Sequence, residues 1–186
     1  MKYLIVGLGN IGSEYADTRH NIGFMILDVM AKKASTNFSN LKLAYYTELT
    51  HKGRKLHLIK PTTYMNLSGK AVNYWMQELK IPIENVLVLV DDLAIPFGAI
   101  RIKPKGSSAG HNGLKSIESV IGGQNYPRLR FGIGDNYPKG RQVDYVLSGF
   151  DEDETPELPA LIDRSIEMIE SFVTAGAELT MTRYNK

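Results

Sequence analysis

The chain has 186 residues, 43% hydrophobic and 23% charged, the proportions of a soluble globular protein, and residues 1–186 are expected to form one domain. It contains no cysteine, which excludes disulfides, thiol catalysis and cysteine-rich zinc sites, and none of its four histidines (His20, His51, His57, His111) forms an HExxH pair, so no metal or other cofactor is expected. A net charge of +2 and a sequence pI of about 8.7 are mildly basic, a weak pointer to an anionic partner.

Lys2 to Val6 reads as a short buried strand. The opening MKYLIVGLGN has too short an apolar run before its first glycine for a signal peptide or a membrane span, so a cytoplasmic protein is expected. Ile22, Met25, Ile26, Val29 and Met30 recur at helical spacing, which predicts a helix from Asn21 to about Ala34. Leu41 to Thr50 and Lys55 to Lys60 read as strands joined by a Lys-Gly turn. Val72, Trp75, Met76 and Leu79 line one face of a second helix, and Asn85 to Val90 is a strongly apolar, central strand. Ala99 to Lys103 is a further strand, Leu114 to Ile121 a helix, and Arg128 to Ile133 a strand with alternating apolar residues. Leu161, Ile162, Ile166, Ile169, Phe172 and Val173 make an amphipathic helix. Interleaved strands and helices mean an α/β fold, and the hairpin makes its twisted sheet mixed, with helices flanking it.

Three polar segments stand beside the apolar runs: Gly7 to Asn21, Lys60 to Val72 and Gly106 to Lys115. They carry Asn10, His20, Asn66 and Asn112, while Asp91 closes the apolar strand. In open α/β sheets ligands bind beyond the carboxyl ends of strands, so segments distant in sequence meet in one cleft. An imidazole takes a proton from water near neutral pH, and carboxamides hold a peptide-like group without adding charge. The set outlines general-base hydrolysis of a neutral acyl compound, with Asp91 orienting His20.

Two familiar motifs are present without their context. Gly7, Gly9 and Gly12 match a dinucleotide fingerprint, yet Ser13 to His20 lacks helical apolar spacing and no acidic residue closes a second strand. The plainer role of those glycines is close backbone packing. Gly106 to Gly110 matches GxSxG, but His111 is the last histidine and stands only three residues beyond Ser108, which removes the triad order of an α/β hydrolase. This loop is better read as a flap or a backbone anion site. Arg101, Lys103, Lys105, Lys115, Arg128 and Arg130 form a basic group beside the Asn112 segment, and Asp151 to Glu157 is an acidic run expected to be a solvated surface.

Taken together, VGLGNIGSEYADTRHNIGF, KPTTYMNLSGKAV, VLVLVDDLAIPFGAIRIKPKGSSAGHNGLKSI and RLRFGIG resemble the bacterial-type peptidyl-tRNA hydrolases over nearly the whole chain. The resemblance implies a carboxylic ester hydrolase that cleaves the bond between a peptide and the tRNA 3′ end in peptidyl-tRNA released from stalled ribosomes, recycling the tRNA. It implies His20 as general base, Asp91 as the carboxylate that holds it, and Asn10 as the residue sensing a blocked amino group. Asn66 and Asn112 become carboxamides that hold substrate, Tyr15 and Tyr64 aromatics flanking the cleft, and Lys103 and Arg130 contacts to the tRNA 5′ phosphate. The partner is then peptidyl-tRNA, with no membrane and no DNA, and a monomer is expected for want of an apolar heptad or surface stripe. The alternative from another class is a non-catalytic RNA-binding relative of the same fold; a small-molecule esterase is a third. Ile11, Ala94 and Ala109 depart from the family pattern of Pro, Asp or Asn, and Gly, respectively.

Overall fold

The computed structural model describes residues 1–185. Seven strands build one mixed sheet: β1 (Lys2–Gly7), β2 (Ser39–Leu41), β3 (Ala44–His51), β4 (Arg54–Pro61), β5 (Val86–Asp92), β6 (Ile100–Lys103) and β7 (Arg128–Gly132), in the order β2-β3-β4-β1-β5-β7-β6. β4, β1, β5 and β7 run parallel, while β2, β3 and β6 add antiparallel flanks. β5 is interior, as its apolar run predicts, although β1 holds the middle place.

Alternation along the strands feeds two cores. On one face Ile5, Leu58, Leu87, Leu89, Leu129 and Phe131 meet α1 (Ile22–Lys33) and the amphipathic α5 (Leu158–Ala175). On the other, Leu4, Val6, Val86, Val88 and Val90 meet α2 (Ser68–Leu79) and α3 (Asn112–Ile121). Burial of both faces explains why the parallel strands read as continuous apolar runs. Two further helices, α4 (Gln142–Val146) and α6 (Ala177–Tyr184), are short. No helix among the described residues is long and apolar enough to cross a membrane.

The expected strand from Leu41 to Thr50 is corrected. The chain turns at Lys42 and Leu43, with Leu43 at φ +63°, and Leu41 belongs to a separate edge strand paired back on Ala44. Trp75 fixes this turn by donating its indole N–H to the Lys42 carbonyl at 2.9 Å. Gly7, the last residue of β1, and Gly9 serve packing, whereas Gly12 supplies a φ of +109° in the loop. A Cβ on Gly7 would lie 2.4 Å from the Gly23 carbonyl oxygen, so β1 and α1 touch backbone to backbone. This contact sets the start of α1, and with it His20, against the end of the central strands.

Candidate active site

Between β1 and α1 the chain makes two 3-10 turns, Ser13–Tyr15 and Arg19–Asn21, and His20 rides on the second. Its neighbours immobilise it. Asn21 clasps Asn10 at two points: its Nδ2 donates to the Asn10 carbonyl and its Oδ1 accepts the Asn10 N–H, both at 2.8 Å. Arg19 is buried, donates to the Tyr145 carbonyl at 3.1 Å, pairs with Asp151 at 3.1 Å and Glu154 at 3.3 Å, and lies 3.9 Å from the centre of the Tyr145 ring. The acidic run is therefore not merely solvated surface: two of its members hold the residue next to His20.

Asp91 is buried at the end of β5, and its carboxylate faces two imidazoles. His20 Nδ1 lies 2.8 and 3.0 Å from its two oxygens, and His111 Nε2 lies 2.9 Å from Oδ1. The tautomer of His111 follows from its second nitrogen. His111 is the N-cap of α3, and its Nδ1 accepts the backbone N–H groups of Gly113 at 3.1 Å and, more weakly, Leu114 at 3.4 Å. A nitrogen that accepts carries no proton, so His111 is neutral and donates Nε2–H to Asp91. An ionised Asp91 likewise calls for Nδ1–H on His20, which leaves His20 Nε2 for the cleft the ring lines. Burial by itself pushes the Asp91 carboxyl up, but the two imidazoles and their hydrogen bonds outweigh it and hold the group well below the usual carboxylate range.

The three side chains each place a ligand atom within 4.8 Å of the others, a His-Asp-His group of the kind that can hold a divalent cation. Spacing rules applied to the sequence do not reveal this group, because it is assembled from three separate segments. The hydrogen-bond pattern around Asp91 puts a proton on each facing nitrogen, the arrangement of a carboxylate-oriented base.

A cleft of about 470 Å³ opens over this cluster. Asn10, Asn66, Asn112, Tyr64, Lys103 and Arg130 all line it together with His20 and Asp91, so segments far apart in sequence do converge. Asn10 also acts as a brace, since its Oδ1 accepts the Met65 N–H at 2.8 Å and ties the 3-10 turn Met65–Leu67 to the His20 loop. Asn66 and Asn112 are exposed at the cleft, and Asn112 is the first residue of α3, which begins two residues before the expected Leu114. Tyr64 is exposed and adopts φ +61°, a conformation uncommon outside glycine. Tyr15 does not join them; it sits half-buried on the first 3-10 turn, outside the cleft lining.

Arg128 and Arg130 lie on the same face of β7 but differ. Arg128 is buried, donating to the carbonyls of Gln124 at 2.7 Å, Tyr126 at 3.3 Å and Ser107 at 3.4 Å. Arg130 is partly exposed and pairs through Nε with Asp92 at 2.6 Å. The accessible cation is thus Arg130, and Arg128 anchors the Gly106–Gly110 flap. Part of the apolar cleft wall comes from Val143, Val146 and Leu147 on and after α4, a helix too short to show a period.

Comparison with known proteins adds the family. The peptidyl-tRNA hydrolase family model matches residues 4–186. The chain is 56% identical over 185 residues to the peptidyl-tRNA hydrolase of Porphyromonas gingivalis, with both chains covered in full. It is 54% identical over 186 residues to that of Bacteroides fragilis, again over the whole of both. Among solved structures, peptidyl-tRNA hydrolase from Acinetobacter baumannii superposes with a TM-score of 0.92 at 36% identity, covering 98% of this chain and 94% of that one.

Proposed function

The chain belongs to the peptidyl-tRNA hydrolase family and carries the activity of that family, and from this premise we propose how its own residues perform the reaction. His20 Nε2 takes a proton from water as the water attacks the carbonyl carbon of the ester between peptide and tRNA. The new imidazolium is compensated by Asp91, which stays ionised throughout because two donors face it. A general base of this kind contributes about 10²–10⁴-fold. The carbonyl oxygen becomes an oxyanion, and the Asn66 carboxamide, exposed in the cleft, donates to it; one such donor lowers the barrier by roughly 3 kcal/mol. The tetrahedral intermediate collapses, the C–O bond to the ribose breaks, and the proton on His20 passes to the leaving 3′ oxygen. Free peptide and reusable tRNA result, which suits rescue of tRNA dropped from stalled ribosomes.

Asn10 supplies selectivity. Its Oδ1 is committed to the Met65 N–H, so only its Nδ2 hydrogens remain for a ligand. A donor at that point donates to the carbonyl of a blocked amino group and repels an ammonium, which brings donors only. An unpaired buried polar group costs about 1–3 kcal/mol, enough to separate the two substrates. Asn112 holds the peptide backbone on the other side, Tyr64 packs beside the ester, and Lys103 with Arg130 grips a tRNA phosphate.

The observation that carries this reading is the imidazole of His20 held through Nδ1 by a buried carboxylate while its other nitrogen serves the cleft. The test is release of tRNA from N-acetyl-aminoacyl-tRNA, beside the same tRNA with a free amino group, by wild type and His20→Ala. Cleavage of the blocked substrate alone, lost in the variant, is the expected result. Undiminished turnover in folded His20→Ala removes the base assignment.

A further inference from the structure

β6 ends the sheet, and an edge strand leaves alternate backbone groups without a partner. The outward N–H and C=O of Ile102 are nevertheless both bonded. Ile102 N–H donates to Asn185 Oδ1 at 2.9 Å, and Asn185 Nδ2 donates back to the Ile102 carbonyl at 2.7 Å. One carboxamide thus stands in for the peptide group of an eighth strand. Asn185 is itself held, since its N–H donates to the Met181 carbonyl at 2.9 Å and closes α6. α6 in turn is tied to α5 by a buried hydroxyl pair, Ser171 and Thr180, at 2.7 Å.

The residues flanking Ile102 give this clasp a purpose. Ile100 and Ile102 are buried, so Arg101 and Lys103 project from the opposite face. In the register of the sheet Arg101 faces Arg130, and Lys103 faces Arg128. Like charges directly opposite one another push strands apart, and here two such pairs act on a strand of four residues. Asp92 compensates Arg130, and backbone carbonyls receive Arg128; Arg101 and Lys103 have no acidic partner within salt-bridge distance among the described residues. A repelled edge strand frays unless something holds its outer side.

We infer that Asn185 is a positioning residue for RNA binding, clasping the outer edge of β6 so that Lys103 is already in place beside Arg130 when a phosphate arrives. The inference rests on the reading of Lys103 and Arg130 as the phosphate grip. Losing the clasp lets β6 move, and binding must then re-order it, which weakens capture of whole tRNA while the chemistry at His20 is untouched.

The experiment compares two substrates: N-acetyl-aminoacyl-tRNA, and the same N-acetyl-aminoacyl ester on a CCA trinucleotide, which carries no tRNA body. Asn185→Leu removes both hydrogen bonds at similar size. It is expected to raise KM for the tRNA by about three- to tenfold, the worth of one or two net hydrogen bonds. The kcat and both constants for the trinucleotide ester should stay at wild-type values, and exchange of the Ile102 amide should quicken. Asn185→Asp keeps the acceptor but turns a second oxygen toward the Ile102 carbonyl, so it should raise KM for the tRNA at least as far as Asn185→Leu, and it carries the test if the leucine variant does not fold. Lys103→Ala run alongside separates the two ideas. If it raises KM for tRNA selectively and Asn185→Leu does not, the clasp has no part in binding and the inference fails alone. If Lys103→Ala changes both substrates equally or neither, the phosphate grip fails and takes the inference with it. An equal rise for both substrates in Asn185→Leu marks general damage and also overturns it.

Discussion

At the scale of single residues, protonation states are decided by what each ring nitrogen touches. His111 both caps α3 and donates to Asp91, two jobs that only the neutral Nε2–H tautomer can do at once. Loss of the cap costs about 1 kcal/mol and loss of a hydrogen bond to a charged group about 1.5–3 kcal/mol, so His111→Ala should lower stability by about 2–4 kcal/mol in urea denaturation and reduce kcat as well. A stable, fully active variant would show that Asp91 needs only His20. His57 poses the converse case. It is buried beside Tyr46, whose hydroxyl lies 2.6 Å from its Nδ1, and its Nε2 finds no partner among the described residues. Burial lowers its tendency to take a proton, offset in part by Glu48. The unfolded chain therefore binds that proton more readily, so the stabilising contribution is whole above about pH 6.5 and drains away as pH falls below it. Asp91 is also depressed, but its contribution is whole above about pH 4 and is lost only in stronger acid. Unfolding free energy should thus fall between about pH 7 and 5, and His57→Phe should flatten that slope; an unaltered slope would assign the titration to another group. The convergence of His20, Asp91 and the three asparagines on one cleft is legible in the sequence because Asp91 closes an apolar run and the others stand in short polar segments beside such runs. His111 carries a weaker signal: it follows a Gly/Ser loop, and only its place directly before an amphipathic helix marks a cap position. Arg19 carries no local signal, since its acidic partners lie more than 130 residues away.

Among elements, the close approach of β1 and α1 ties fold to site. A Cβ on Gly23 would lie 2.5 Å from the Leu8 nitrogen and 2.7 Å from its carbonyl oxygen, backbone atoms that cannot rotate aside. Gly23→Ala should therefore push α1 outward, at a cost of about 1–3 kcal/mol, and because His20 and Asn21 immediately precede this helix, kcat should fall with stability. Normal turnover with a lowered melting temperature would mean that the His20 turn is held by Asn10 and Arg19 alone. The flap offers the opposite sign. Ala109 sits at φ +49°, a conformation that costs a residue with a Cβ about 1–2 kcal/mol. Ala109→Gly removes that strain and adds about 0.4–1 kcal/mol of unfolded-state entropy, so a net gain of about 0.5–1 kcal/mol is expected from the denaturation midpoint. The parallel strands and the long helices are readable from periodicity, since burial on one or both faces writes itself into the residue pattern. β2, α4 and α6 are not, because they are short, and tertiary contacts such as the Trp75 bond at the β2-β3 turn and the Asn185 clasp after α6 accompany them where a repeat of apolar residues is missing.

For the molecule as a whole, a net charge of +2 conceals a separation. Arg101, Lys103, Arg128 and Arg130 share one face of two neighbouring strands at the side of the cleft, while the acids from Asp151 to Glu157 stand elsewhere, with Asp151 and Glu154 committed to Arg19. Such a face draws in a polyanion and orients it, and the affinity it contributes must weaken as salt displaces the counterion gain. The three arginines and the lysine are not equivalent, however. Arg128 is spent on carbonyls inside the protein, Arg130 shares its charge with Asp92 yet faces the cleft, and Lys103 faces it without an acidic partner among the described residues. KM for N-acetyl-aminoacyl-tRNA should therefore rise with salt, and because Lys103 and Arg130 share one phosphate, replacing both by Ala should reduce the log–log slope by about 0.7–0.9, with Lys103→Ala and Arg130→Ala each giving part of that fall. Arg128→Ala should leave the slope alone and instead loosen the flap and lower stability, because it removes three internal acceptors' partner. A slope that falls for Arg128→Ala and holds for Arg130→Ala would exchange their roles, and would mean that the buried guanidinium leaves its carbonyls to meet the RNA.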